Sequence, residues 1–139
     1  MSKIRADGTF EVVSFDAVEV PVAGAITTAM ETGLATMDKR YAGDVQGRSA
    51  TLFSSSRNAD SGAASYVALE AFQGSLNGVP GSFNFTHAAS THGADRYGEF
   101  FTIVDASGTE GLAGISGGGG MSVDDDGTHR VWFDYTLDG

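Results

Sequence analysis

Twenty glycines against two prolines, and above all the places where those glycines fall, constrain this chain more than any other feature. They recur between stretches in which β-branched and aromatic residues alternate with polar ones, the punctuation expected of hairpins. Eight strands follow: Thr9–Phe15, Leu34–Asp44, Ser49–Ser56, Ala64–Leu76, Gly81–Ala89, Tyr97–Val104, Leu112–Val123 and His129–Leu137. Between them fall Gly47-Arg48, Asp60-Ser61-Gly62, Asn77-Gly78-Val79-Pro80, His92-Gly93-Ala94-Asp95, Ser107-Gly108 and Asp124-Asp125-Asp126-Gly127. Asn77-Gly78 is the clearest turn, because both residues tolerate a positive φ.

Short connections make successive strands antiparallel, and no helical period intervenes, so the expected fold class is all-β. The expected architecture is a closed, eight-stranded, antiparallel up-and-down β-barrel occupying residues 1–139 as a single domain. An open meander of this length would leave two long edges exposed, which argues for closure. Glycines inside the strands, at Gly43, Gly74, Gly98 and Gly117 to Gly120, supply the bulges and bare positions that sharp coiling needs. Eight strands enclose a lumen that side chains can fill or that can hold one small ligand. The stretch from Ala17 to Gly33 departs from the pattern, with Pro21 and Gly24 interrupting it, and is expected to cover one barrel mouth.

Charge narrows the partners. The formal net charge is -10, with six basic and nine acidic side chains in residues 1–70 and two and nine in residues 71–139, so no Lys/Arg cluster exists to hold phosphates. Neither nucleic acid nor an anionic membrane is an expected partner. No apolar run reaches the length of a membrane span, and a cytoplasmic protein is expected. The absence of cysteine removes disulfides, thiolate metal sites and a cysteine nucleophile. His87 and His92 lie five residues apart, on opposite faces of a continuous strand, so no metal site is expected, and no cofactor is implied. The run Gly117 to Gly120 lacks the Lys-Ser/Thr ending of a phosphate loop and reads as a bulged strand.

Two residues stand out as candidate catalytic groups. In Tyr66-Val67-Ala68-Leu69-Glu70-Ala71-Phe72, parity puts Glu70 on the face of Tyr66, Ala68 and Phe72. On a lumen wall, desolvation would raise the pKa of this carboxyl and suit it to general acid–base work. His87 ends the row Phe83, Phe85, His87, and the hairpin at Asn77 to Pro80 can bring it beside Glu70. Tyr41, Tyr66, Phe72, Phe83, Phe85 and Trp132 are the candidate ligand-lining residues. Trp132 and Phe133 have opposite parities, so only one of the two can face inward.

Several of these segments carry a resemblance. Gly8-Thr9-Phe10-Glu11-Val12, Tyr41-Ala42-Gly43-Asp44-Val45-Gln46-Gly47, Leu69-Glu70, Gly74-Ser75-Leu76-Asn77-Gly78, Gly81-Ser82-Phe83-Asn84-Phe85-Thr86-His87 and Ser107-Gly108-Thr109-Glu110-Gly111-Leu112-Ala113-Gly114 resemble an uncharacterised bacterial family. That family is similar in fold to plant allene oxide cyclase. The resemblance implies an allene-oxide-cyclase-like, lipocalin-like barrel that commonly self-associates, with no assigned activity. Cyclase residues do not transfer, because no motif of the plant enzyme is matched position by position.

Three functions fit these readings. The first is a barrel that binds a small apolar or aromatic molecule in its lumen. The second is a cofactor-independent isomerase or cyclase in which Glu70 or His87 moves a proton. The third is a homo-oligomeric interaction protein with a filled core.

Overall fold

The computed structural model describes residues 3–19 and 26–138. Among them are nine strands and no helix: β1 (Ile4–Val18), β2 (Glu31–Gly43), β3 (Val45–Arg57), β4 (Ala64–Leu76), β5 (Val79–Thr91), β6 (Tyr97–Ile103), β7 (Thr109–Glu110), β8 (Ser116–Val123) and β9 (His129–Thr136). All pairings are antiparallel, in the order β4-β3-β2-β1-β9-β8-β6-β5-β7, and β4 also pairs with β5. The sheet is therefore ring-like, with the two-residue β7 attached to β5 outside the cycle.

Its seams are unequal. The β2–β3, β3–β4 and β4–β5 ladders run almost the full length of their strands. The β6–β8 contact rests on the single pair Thr102↔Gly118. Register shifts between Val12 and Ser14 in β1 and between Ala88 and Ser90 in β5 mark bulges, which increase local coiling.

Glycines set how closely neighbouring strands approach. Gly47 in β3 sits opposite Gly74 in β4, and a Cβ on either would fall on the backbone of the other strand. Gly47 was expected in a turn, but it lies within β3. The reversal is tighter and earlier, at Asp44, where Gly43 adopts φ 106° and the Asp44 amide donates to the Asp7 carbonyl.

Alternation sorts the residues cleanly. The inward row of β4 is Tyr66, Ala68, Glu70 and Phe72, and that of β5 is Phe83, Phe85, His87 and Ala89. Facing them are Ala6 and Phe10 of β1, Tyr41 of β2, Val45 of β3, Ile103 of β6, and Val131, Phe133 and Tyr135 of β9. The core is aromatic: Phe83 and Phe85 each meet Phe133 nearly edge to face, at centroid separations of 5.3 and 5.1 Å.

The two ends of the ring differ. At the end where β4 meets β5, residues 109–115 turn inward, and Leu112 and Ile115 bury completely against the core. Leu112 was expected to open a strand. Instead it lies in a turn closed by Leu112 and Ile115 amides donating to the Thr109 and Leu112 carbonyls, and the strand begins at Ser116. Of the stretch from Ala17 to Gly33 expected to cover one mouth, Ala17 and Val18 extend β1 and Glu31 to Gly33 extend β2, while residues 20–25 lie outside those described. Among the described residues, no helix is long and apolar enough to cross a membrane.

Candidate functional site

Glu70 is completely buried at the centre of the ring interior, and four side chains from three other strands converge on it. Lys39 Nζ of β2 donates to Oε1 at 2.9 Å, and His87 Nε2 of β5 lies 3.0 Å from the same oxygen. Ser49 of β3 donates to Oε2 at 2.5 Å, and Tyr41 of β2 donates to it as well. The register explains the convergence. Lys39 pairs with Ser49, Thr51 with Glu70, and Ala68 with His87, so the inward positions of β2 through β5 present their polar groups at adjacent levels.

An acid in such a place was expected to have a raised pKa. Burial does push Glu70 upward, but the hydrogen bond from His87, the Lys39 charge and the Ser49 and Tyr41 hydroxyls outweigh it and hold the carboxyl down at about 2. Glu70 is therefore an ionised acceptor. Burial and the neighbouring Glu70 charge push the Tyr41 phenol well above its ordinary value. Among the described residues, the Thr51 hydroxyl is the one buried side-chain polar atom left without a partner.

The network continues toward the open end. His87 Nδ1 lies 3.0 Å from the Tyr66 hydroxyl, which accepts from Arg96 Nη2 at 2.7 Å, and Arg96 in turn pairs with Glu99. Because ionised Glu70 can only accept, His87 carries a proton on Nε2, and its Nδ1 faces the O–H of a phenol that already accepts from Arg96. The hydrogen bonds thus run in one direction, from Arg96 to Tyr66 to His87 to Glu70. Burial raises the Tyr66 pKa, opposed by the hydrogen bond and charge of Arg96.

Tyr66 and Arg96 also line a cavity of about 640 Å³ at the open end of the ring. Phe15, Phe53, Ala64, Ala89 and Val123 form its apolar walls, and Arg57 and Asp95 stand with Arg96 as its charged groups. Phe53 stacks on Tyr66 at 5.0 Å, and Phe15 meets Phe53 edge-on. Asp95 is held by His92, whose Nδ1 lies 2.6 Å from its carboxylate.

The candidates read from the sequence occupy four environments. Glu70, His87 and Tyr41 meet in the buried cluster. Phe72, Phe83 and Phe85 pack on one another and on Phe133 in the filled interior, while Tyr66 alone of the six aromatic candidates borders the open-end cavity. Trp132 faces outward, under the Arg5 guanidinium at 5.2 Å, and Phe133 takes the inward position. Sequence reasoning passed over Lys39, Ser49, Phe53 and Arg96. Lys39 shares parity with Ala35 and Tyr41, a signal that it faces inward, whereas Arg96 lies in the β5–β6 connection, where no period exists to read. Among the described residues, no three His, Cys, Asp or Glu side chains converge as a metal site.

Residues 6–135 match a family described as a protein of unknown function, DUF3224. A solved structure of a DUF3224 protein of unknown function from Shewanella oneidensis MR-1 is similar over 99% of both chains, with 26% identity and a TM-score of 0.84. No curated protein matches the chain.

Proposed function

We propose, for a chain that belongs to the DUF3224 family of unknown function, that the open-end cavity binds a small aromatic or apolar molecule bearing an anionic oxygen group. The observation that carries this reading is one constellation. Arg96 and Tyr66, whose hydroxyl accepts from Arg96, line a cavity of about 640 Å³ whose other surfaces are largely apolar. Such sites hold a ligand by its apolar body and orient it with a few placed polar groups. Arg96 supplies a planar, permanently charged donor suited to a carboxylate. The cycle of strand pairings supports the finer reading of a closed, allene-oxide-cyclase-like barrel, with this cavity at its open mouth.

Calorimetric titration with 3-phenylpropionate tests the reading. Saturable binding is expected, weakened about tenfold, or 1.4 kcal/mol, by Arg96→Ala and by Phe53→Ala. The outward Trp132→Phe change should leave it unaltered. No binding, or binding indifferent to both cavity substitutions, overturns it.

A second reading is favoured by the outer wall. The outward residues of β4 are Ser65, Val67, Leu69, Ala71 and Gln73, and those of β5 are Ser82, Asn84, Thr86, Ala88 and Ser90, with no charge among them. Leu52 pairs with Leu69, and Val67 with Ala88, which pairs with Phe100, so the exposed apolar side chains form one patch. On a chain of net charge -10, this uncharged face is where a second copy can approach without repulsion. Sedimentation should show a homo-oligomer that Leu69→Glu dissociates; a monomer at high concentration overturns this reading.

A further inference from the structure

The directed hydrogen-bond chain behind the cavity exceeds what binding needs. A site built only to hold an anion requires Arg96 at the wall, yet Tyr66 is backed by a buried imidazole, which is backed by a buried carboxylate. That carboxylate is fixed by Lys39, Ser49 and Tyr41. This is the arrangement by which a weakly basic hydroxyl is made to accept a proton. The oxygen takes a proton from the substrate as its own passes to the imidazole, and the carboxylate stabilises the resulting imidazolium.

We propose that Tyr66 is a catalytic proton carrier, relayed through His87 to Glu70, for tautomerisation of an aromatic or apolar carbonyl compound bearing an acidic group. The inference rests on the cavity reading above and names the chemistry done there. The Tyr66 oxygen accepts from Arg96, lies 3.0 Å from His87 Nδ1 and has the Met121 sulfur at 3.8 Å, which leaves its second lone pair free on a side chain that lines the cavity. In the step, a C–H bond next to the substrate carbonyl breaks, and its electron pair forms the C=C bond of an enolate. The proton forms a bond to the Tyr66 oxygen while the Tyr66 O–H proton moves to His87 Nδ1. The negative charge gathers on the substrate oxygen, where the Arg96 guanidinium can face it. Reversal returns a proton to the enolate at oxygen or carbon and restores neutral His87, so no oxidant, reductant or co-reactant is consumed. Since Tyr66 gives up one proton as it gains another, no free phenolate forms, consistent with burial holding its pKa up. His87 and Glu70 do not line the cavity and act as positioning residues through Tyr66.

The test is α-hydrogen exchange of phenylpyruvate in D2O, followed by proton NMR, beside calorimetric binding of phenylpyruvate and of 3-phenylpropionate, which has the same body without the ketone. The wild-type chain should accelerate exchange over buffer. Tyr66→Phe should bind both compounds within about tenfold of the wild type and lose about 100-fold or more of that acceleration in kcat. His87→Gln should lower kcat while leaving KM within about twofold, a split that a merely structural role would not produce. Phenylpyruvate that binds without faster exchange overturns the relay and leaves the binding site standing. Exchange unaffected by Tyr66→Phe also overturns the relay. Failure of 3-phenylpropionate to bind overturns the cavity reading and the relay with it.

Discussion

The two ends of the ring interior solve opposite problems with the same alternation of side chains. At the sealed end, inward positions carry Phe72, Leu76, Phe83 and Val45, and residues 109–115 fold in to add Leu112 and Ile115, all essentially without exposure. Toward the open end the same strands carry Tyr66, Phe53 and Ala64, which are only partly buried and border the cavity. Glu70 and its partners separate the two. The sealed half supplies stability through packing, and the open half gives up packing for access. The boundary is polar, and its buried carboxylate is matched by four fixed partners.

This division is broken most directly from the sealed side. Phe133→Ala removes a fully buried ring that packs on Phe83, Phe85 and Phe101, and should cost about 4 kcal/mol in denaturant unfolding. Phe53→Ala, at the cavity wall, should cost less than half as much, because its ring already faces open space. Equal losses would mean that the open end is packed as tightly as the sealed one.

The boundary cluster comes next. Lys39→Met leaves the buried Glu70 carboxylate without its cation and should destabilise the chain by about 3 kcal/mol. Acid should report the same group. Glu70 titrates at about 2 in the fold against an ordinary 4.5, so its contribution is fully present above pH 4.5 and is lost as pH falls toward 2. The lost stability should be on the order of 3 kcal/mol. Urea midpoints measured from pH 5 downward should show this slope in the wild type and a shallower one in Glu70→Gln.

The same three regions differ in how legible they were. The row Tyr66, Ala68, Glu70, Phe72 could be read because β4 is an unbroken alternation, and its limits, Ala64–Leu76, are those expected. The approach of His87 to Glu70 could be read because Asn77-Gly78 fixes the β4–β5 hairpin. Closure at the sealed end could not, because Leu112 and Ile115 look like strand residues and only their packing on the core turns them inward. The direction of the Glu70 pKa was misjudged for a related reason. Its sign is set by the His87 hydrogen bond together with Lys39 and Ser49, and the last two arrive from strands 20 or more residues away and carry no local signature as its partners. Gly47 was mistaken for a turn because a bare position also serves where two backbones meet, here against Gly74.

The smallest expected effect sharpens the comparison best, because it sets two tyrosines on the same carboxylate network against each other. The Tyr41 hydroxyl lies inside the boundary and donates to the ionised Glu70, so Tyr41→Phe deletes a charge-assisted hydrogen bond in a buried site, at a cost of about 2 kcal/mol. Tyr66 borders the cavity and its hydroxyl lies 3.0 Å from His87 Nδ1, so Tyr66→Phe should cost about 1 kcal/mol or less, since solvent in the open cavity can replace what His87 and Arg96 lose. Thermal unfolding of the two variants side by side measures the difference. If Tyr66→Phe proves the more destabilising, its hydroxyl belongs to the structural half of the molecule; if it is nearly neutral, the phenol is held where it is by something other than the demands of folding.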